Sequence, residues 1–480
     1  MLRTTVAVAV ALALAAVTSL TRLVADDHWQ AFRGDGSGIV GSADLPTEWT
    51  PDKNIAWRSD IPGYGQSAPA VWENSIYVTS SDGPFQEDCA VHSFDLTTGE
   101  KRWSESISIT SKVENYFRNS RAAPTCVVDE SGVYSFFASG DVTAMKHDGS
   151  IRWSTGLTQL YGEFDNERGV ASSLAQDGDH VFVVIDHHGP SYIVAVNKAD
   201  GTIGWKSDRG DRVPSWSSPV VTKHEGHRLV IISSSDTVDA YDATSGQRLW
   251  QVDGIKGNHI PSATVVDGRV YVGSTTMYGG ESDEDVVAAS NCCIELTLDD
   301  GKPGYEMRWG AQRANSYYSS PLVFAGYVYY VNKIGVLYCV SAETGKQLFA
   351  KRIGNPCWAS GVGVTTSTGE QLVYFVAKNG FAVVLRPSDQ YDQVARNQLW
   401  DRDQMMDAKE AAAKARKANT VPADQAKPKT GPEKVFANMP ESSLHTMFSY
   451  DDPTAYAVAV AGNSLLVRTG QHLYCVRELP

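Results

Sequence analysis

A degenerate pattern, Ala-x-Asp-x-x-Thr-Gly-x-x-x-Trp, recurs along most of this 480-residue chain. Its clearest copies run from Ser93 to Trp103 and from Ala240 to Trp250. Looser copies span Ala195 to Trp205, Ala144 to Trp153 and Cys339 to Phe349, and a stretched copy runs from Glu295 through Gly301 to Trp309. A repeat of roughly 40 to 60 residues constrains the fold more than any single residue does. Each unit is too small to bury its own apolar face, so the units must stack on one another.

Within a unit the residues favour four short strands. Ala68-Pro69-Ala70-Val71 is an apolar run, Glu73-Asn74 is turn chemistry, and Ser75-Ile76-Tyr77-Val78-Thr79-Ser80 is rich in strand formers. Ala90 to Asp95 reads as a third strand. Thr97-Thr98-Gly99-Glu100 is a turn whose glycine supplies a left-handed backbone, and Lys101 to Ser104 opens a fourth strand. The order recurs from Ser218 to Asp242 and from Ser320 to Val340. Four-stranded antiparallel sheets repeated about an axis make an all-β propeller.

Counting the terminal aromatic of each unit predicts eight blades: Trp57, Trp103, Trp153, Trp205, Trp250, Trp309, Phe349 and Trp400. The first aromatic has only its own strand ahead of it, Asn54 to Arg58. The C-terminus offers three strands that lack a fourth, at Ala457–Val460, Ser464–Arg468 and His472–Val476. The last blade is therefore expected to be built from both chain ends, which removes the exposed sheet edges. The unit ending at Trp400 has no clean Asp-x-x-Thr-Gly turn, which leaves a seven-bladed ring as the alternative.

The repeated Asp-x-x-Thr-Gly-x-x-x-Trp motif resembles the tryptophan-docking motif of quinoprotein alcohol dehydrogenases. It equally resembles the repeat of non-enzymatic propellers such as the bacterial outer-membrane assembly factor. The opening Trp29-x-x-Phe32-Arg33-Gly34-Asp35-Gly36-x-Gly38 and Leu45-Pro46-x-x-Trp49 resemble the lead-in of secreted bacterial propellers. The resemblance covers about residues 28 to 480 apart from one insert. It implies that the motif tryptophans pack between blades, a structural role. For function it implies two classes, because propellers of this type include binding scaffolds and enzymes alike.

Residues 1–25 read as a secretory signal: a basic start at Arg3, an apolar run from Val6 to Leu20, then Leu23-Val24-Ala25. The mature chain is expected to be exported, to the periplasm or beyond, with no stable membrane insertion. The first cysteine is Cys89, so no lipid-attachment cysteine follows the signal. The propeller is assigned to residues 26–400 and 436–480. Residues 401–435 form an insert in which Ala408 to Lys417 favours helix and Pro422 to Pro432 is charged and of low complexity. A net charge of −14 and a pI near 5.3 argue against nucleic acid or an anionic membrane as partner.

Chemistry-bearing motifs are sparse. The seven cysteines include an adjacent pair, Cys292-Cys293, and no Cys-x-x-Cys. Aligning Gly301 on Gly99 places the pair opposite Ala90 and Val91, where cysteines ordinarily serve as small buried hydrophobes. The quinoprotein resemblance implies a different role for such a pair, a vicinal disulfide stacked on the quinone. No Gly-x-Ser-x-Gly or His-Glu-x-x-His is present, and Arg33-Gly34-Asp35 reads as a turn.

Position in the repeat yields a candidate site. The residues entering the first strand of each blade ring the channel mouth: Gln66, Arg121, Val170, Trp216, Ile260, Tyr318, Trp358 and Ala455, with Arg118, Arg168, His259, Tyr317 and His445 nearby. Arg121, Arg168, Trp216, His259, Tyr318 and Trp358 are the candidate ligand-binding residues, an aromatic pocket with cations at its edge. The alternative is that these side chains simply plug the channel. A ligand carboxylate or phosphate would meet Arg121 or Arg168. The leading expectation is a non-catalytic module that binds a protein or small ligand, with no cofactor and no metal. The alternative is an alcohol dehydrogenase dependent on pyrroloquinoline quinone (PQQ) and calcium. That chemistry needs a carboxylate-rich calcium site and an Asp base, for which the mouth segments offer only Glu114, Glu163, Asp165 and Glu167.

The charged, alanine-rich insert has little apolar surface to bury. Deleting Lys409–Lys429 is expected to leave the thermal unfolding transition nearly unchanged; a drop of several degrees would mean that the insert packs on the ring.

Overall fold

Alternating apolar residues put two buried faces on every sheet, and the sheets solve this by facing one another around a ring. The computed structural model describes residues 28–83, 86–113, 119–166, 168–257, 260–275, 284–401, 403–407, 410 and 453–479. It is an eight-bladed propeller of four-stranded antiparallel blades. Blade 1 comprises Ala70–Trp72, Ser75–Ser80, Cys89–Asp95 and Lys101–Ile107, ordered from the axis outward. Blades 2 to 7 follow the chain, their innermost strands at Val127–Asp129, Ala175–Asp177, Val220–His224, Thr264–Val266, Leu322–Phe324 and Val362–Thr365. Blade 8 takes three strands from the C-terminal region, Ala457–Ala461, Ser464–Arg468 and His472–Val476, and its outer strand, Ile55–Asp60, from near the start. Trp57 pairs with Cys475 and Asp60 with His472, so both ends meet as expected.

Neighbouring blades are joined by the repeat motif. The indole Nε1 of Trp57 donates to the Leu96 carbonyl at 3.1 Å, and Trp103, Trp153, Trp205 and Trp309 donate to the carbonyls of His147, Lys198, Ala243 and Ala342 at 2.9 to 3.2 Å. Each indole thus caps the Asp-x-x-Thr-Gly turn of the next blade. The motif aspartates build those turns: Asp242 Oδ1 accepts from the amides of Thr244 and Ser245. The glycine lies flat on the indole. Gly99 has φ +75°, and a Cβ there would sit 2.5 Å from the Trp57 ring.

Three of the eight terminal aromatics depart from this pattern. Trp250 leaves its Nε1 without a partner and packs instead on Tyr305, ring centroids 5.3 Å apart. The hairpin it should cap is extended, and Gly301 stands clear of every neighbour within 4 Å. Phe349 has no N–H and meets Tyr391 edge-on at 5.8 Å. Trp400 is not the counterpart of the others. In seven blades the aromatic pairs with a third-strand residue next to a register shift, as in Ala240 with Trp250 and Ser93 with Trp103. In blade 7 that position is held by Ala395, paired with Val384. Trp400 lies beyond the outer strand and is buried against Tyr474 of blade 8. The count of eight stands because Trp400 still marks the end of the seventh unit.

The same register corrects the cysteine pair. Cys293 pairs with Trp309, as Ser93 does with Trp103. The pair therefore aligns with His92 and Ser93, not with Ala90 and Val91. The longer hairpin after Cys293 carries Gly301 out of phase. Cys293, Cys339 and Cys475 all face a terminal aromatic, where only a small side chain fits.

A second belt runs nearer the axis. The amide of Ala68 donates to Thr125 Oγ1, Thr125 to Ser173 Oγ, Ser173 to Ser218 Oγ, Ser218 to Ser262 Oγ, Ser262 to Ser320 Oγ and Ser320 to Ser360 Oγ, all within 2.7 to 3.0 Å. These are the Ser and Thr residues at the start of each inner strand. The β-rich hydroxyls thus satisfy main-chain donors that face a neighbouring blade instead of a fifth strand.

The segment from Trp29 to Val40 lies inside the ring. Trp29 exchanges main-chain hydrogen bonds with Val71 of blade 1, and the Val128 amide of blade 2 donates to the Gln30 carbonyl. Arg33 turns the chain with φ 63° and reaches blades 5 and 6. Gly36 and Gly38 pass so close to Val220 and to the Gly361 carbonyl that a Cβ at either would come within 3.1 Å of them. Ile39–Val40 then adds a parallel strand to the inner edge of blade 7. The Arg33-Gly34-Asp35 turn was expected; its place in the channel was not. From the insert, residues 403–407 are helical. The remainder of the insert and residues 1–27 lie outside the described residues, apart from Asp401 and Glu410.

Gly99 and Gly301 share φ +75°, but only Gly99 lies on an indole. Gly301→Ala is expected to cost about 1–2 kcal/mol of backbone strain alone. Gly99→Ala should cost about 1–3 kcal/mol more, because the added methyl pushes Trp57 off the turn. Urea denaturation of both variants measures the difference; equal losses would mean that the indole contact contributes nothing.

Candidate functional site

Several of the residues entering the inner strands come together, in two arcs. The first arc is aromatic. Tyr317 and Tyr318 lie with ring centroids 4.1 Å apart, and Tyr318 stacks on Trp358 at 4.1 Å and 25°. Trp358 meets Tyr456 at 5.3 Å and 76°, and Tyr456 meets Tyr64 at 6.3 Å and 81°. The Tyr64 and Tyr456 hydroxyls are 2.5 Å apart. Tyr318, Trp358 and Tyr64 are half-buried, whereas Tyr456, which joins Trp358 to Tyr64, is buried.

The second arc carries the cations. The Arg168 guanidinium lies over the Trp216 ring, 5.8 Å from its centroid. Trp216 Nε1 donates to the Gly169 carbonyl at 2.9 Å, and Asn119 Nδ2 donates to the Arg168 carbonyl at 2.8 Å. Arg121 is buried, its guanidinium packed where a Cβ on Gly169 would go. The arcs join through Gln66, whose Oε1 accepts from the Ser120 amide, and Ser120 Oγ reaches the Tyr64 carbonyl. Of the eight expected ring members, Arg121, Val170 and Ala455 are buried and contribute no open surface, so the expected ligand-binding Arg121 is not presented at the mouth. Ile260 is half-buried. His259, Arg118, His445, Glu114 and Glu167 lie outside the described residues.

Buried polar networks hold both arcs. Asp186 accepts from Arg209 Nε at 2.8 Å, from Ser234 Oγ at 2.5 Å and from Ser215 Oγ at 2.8 Å. Arg209 also donates to Tyr241 and pairs with Asp239. Burial opposes the charge on Asp186, but the Arg209 cation and these hydrogen bonds win and hold the carboxyl below its ordinary range. Ser215 directly precedes Trp216, so the network fixes the indole. Beneath the aromatic arc, Arg468 of blade 8 is fully buried and donates to the Thr79 carbonyl of blade 1 at 3.1 Å. Next to it His92 bonds Ser80 and Ser104 through its two ring nitrogens. Burial and the Arg468 charge push His92 down to about 3, and burial with Arg58 pushes His472 down to about 4.

Tyr64 and Tyr456 were not predicted. Tyr456 sits one residue after the expected Ala455, and Tyr64 two before Gln66, so strict alignment of the repeat passes over both. Of the carboxylates expected at the mouth, Glu163 and Asp165 are exposed. Among the described residues no three His, Cys, Asp or Glu side chains are placed to hold a metal ion. Cys292 and Cys293 are free and buried in different cores, one shared by blades 4 and 5 and the other by blades 5 and 6. Among the described residues no helix is long and apolar enough to cross a membrane.

Tryptophan-docked blades closed by both chain ends define a propeller of the quinoprotein-like repeat class. A family model described as outer membrane protein assembly factor BamB matches residues 31–188 and again 189–314, more than half of the chain, and the chain belongs to that family. Among solved structures it is similar to BamB from Moraxella catarrhalis, at 14% identity and a TM-score of 0.54, covering 88% of this chain and 97% of that one. It is also similar to quinohemoprotein alcohol dehydrogenase from Comamonas testosteroni, at 13% identity and a TM-score of 0.44, covering 73% and 77%. No curated protein matches it by sequence.

Two histidines held neutral by burial destabilise the fold as the pH falls, because the unfolded chain takes up protons near 6.5 and the folded chain does not. Stability is full above about pH 6.5 and is lost progressively towards pH 4, each histidine adding a slope of up to about 1.4 kcal/mol per pH unit. His92→Gln should flatten that slope in denaturation curves taken from pH 7 to 4.5. An unchanged slope would assign the acid sensitivity to other groups.

Proposed function

We propose that this chain is an exported, non-catalytic binding propeller whose channel-mouth face docks a segment of a partner protein. The observation that carries the reading is the ladder Tyr318–Trp358–Tyr456–Tyr64, continued by Arg168 on Trp216. Tyr456 is buried and holds the ladder together, and the half-buried Tyr64, Tyr318 and Trp358 offer contact area on a rigid frame at little entropy cost; aromatic and arginine side chains dominate binding energy at protein interfaces. The family description, an assembly factor for outer membrane proteins, supports a protein as the partner. The expected signal segment agrees with an exported site of action.

Two observations favour this reading over a quinone with calcium: the adjacent cysteines lie in two different blade interfaces, and among the described residues no three His, Cys, Asp or Glu side chains are placed to hold a metal ion. No chemical step is therefore assigned to the mouth.

A photo-crosslinking residue placed at Trp358 or Tyr318 is expected to capture a discrete polypeptide in cells, and one placed at the exposed Ile151 on the outer rim is not. Trp358→Ala should weaken that complex by about 2 kcal/mol, roughly 30-fold in Kd, with the thermal transition preserved. Alcohol turnover by protein reconstituted with PQQ and calcium, lost in Arg121→Ala, would overturn the reading.

A further inference from the structure

A segment that docks at the mouth is offered little main chain to pair with. The belt of Ser and Thr hydroxyls already takes main-chain donors at the start of the inner strands, as where Ala68 donates to Thr125 Oγ1 and Ser320 to Ser360 Oγ. Strand addition draws its affinity from free donors and acceptors of that kind, so the docked segment must hold its shape without a ladder of main-chain bonds. A polyproline II helix does so. It has no internal hydrogen bonds, it is stiff before it binds, and it docks in aromatic-lined grooves.

The aromatic arc has the matching chemistry. Trp358 and Tyr64 flank the Tyr456 ring at 5.3 and 6.3 Å, each set nearly at right angles to it, and Tyr318 stacks on Trp358. Rings turned against one another in this way form corners that a flat, rigid apolar ring can occupy. Trp358 also carries a donor. Among the described residues nothing accepts its Nε1–H, and the atom is not buried, whereas the Trp216 indole is spent on the Gly169 carbonyl. A proline-rich chain suits that donor, because it brings carbonyl acceptors and, at each proline, no N–H that would need an acceptor in return. The apolar surface continues outward to Ile334, 49% exposed. The turn that carries Ile334 lies through Gly335 against the backbone of Gly354 and Asn355, just ahead of Trp358.

Resting on the mouth as the docking face, we infer that the segment it receives is proline-rich and binds as a polyproline II helix. Its rings lie against Trp358, Tyr318 and Tyr64, and one of its carbonyls accepts from Trp358 Nε1. Both sides of the contact are ordered beforehand, the segment by its prolines and the ladder by the blades, so little conformational freedom is lost on binding.

The test is calorimetric titration of the full chain with blocked decaproline, with a glycine–serine peptide of the same length, and with an oligomer of N-acetylglucosamine. Decaproline should bind saturably and the other two should not. Trp358→Phe keeps a ring and removes the N–H, and should raise the Kd for decaproline about fivefold, as expected for loss of one hydrogen bond. Trp358→Ala should abolish binding. Decaproline should also compete with the polypeptide captured by a photo-crosslinking residue at Tyr318, a readout that leaves Trp358 unchanged. Absence of saturable decaproline binding, or equal binding of the flexible peptide or the sugar, would overturn the inference. Capture of a polypeptide at the mouth that decaproline neither binds alongside nor displaces would remove the proline-rich class and leave the docking face standing. Loss of capture and of decaproline binding together would remove both.

Discussion

Everything in this ring rests on the contact between one blade and the next. A blade taken alone would leave apolar residues bare on both faces of its sheet. Among the described residues the buried apolar side chains form seven clusters, six of which each bridge two adjacent blades, as Val181 and Val194 of blade 3 join Tyr134 and Val142 of blade 2. The indole on the neighbour's glycine sets the spacing at the rim, and the chain of amide-to-hydroxyl bonds sets it near the axis. Between these two belts the sheets have little freedom to tilt. That rigidity is what allows side chains from different blades, such as Tyr318, Trp358 and Tyr456, to meet ring against ring at the mouth.

Closure concentrates at one seam. The largest cluster runs through blades 7, 8 and 1 and takes in Trp29, Val40, Leu45 and Trp49 from the start of the described chain. Three devices meet there: the pairing of Ile55–Asp60 with His472–Val476, the Trp57 indole on Gly99, and Arg468 reaching across to Thr79. The segment 29–49 adds a fourth. It runs from the channel to the rim, where the Trp49 amide bonds the Asn397 side chain. Non-local contacts of this kind carry little extra entropy penalty, because loop closure grows only slowly with loop length.

Much of this architecture was legible in the sequence because it is periodic. A turn glycine and an aromatic at fixed offset recur in phase with the blades, so blade number and the shared terminal blade could be read off together. Reading failed where the period slips. Two extra residues after Cys293 displaced the alignment of the cysteine pair, and Trp400, five residues beyond Ala395, took the place of an aromatic that blade 7 lacks. The candidate site was half legible. Tyr318, Trp358 and Trp216 follow from position in the repeat and Arg168 from its closeness to Val170, whereas Tyr64 and Tyr456, one or two residues out of register, were passed over. The role of residues 29–40 was hidden for a different reason. They occur once, outside the repeat, and nothing local signals that a glycine-rich turn will be enclosed by eight sheets.

Blade 8 has a consequence for how the chain is made. Its outer strand emerges well before its other three, which follow only after some 400 intervening residues. Until Ala457–Val476 arrives, Ile55–Asp60 has no sheet to join, and blades 1 and 7 each keep a flank uncovered. An interrupted chain therefore exposes strand edges and apolar faces that proteases and chaperones recognise. Only a chain that carries both segments conceals them, so the topology itself acts as a proofreading step that separates closed rings from fragments.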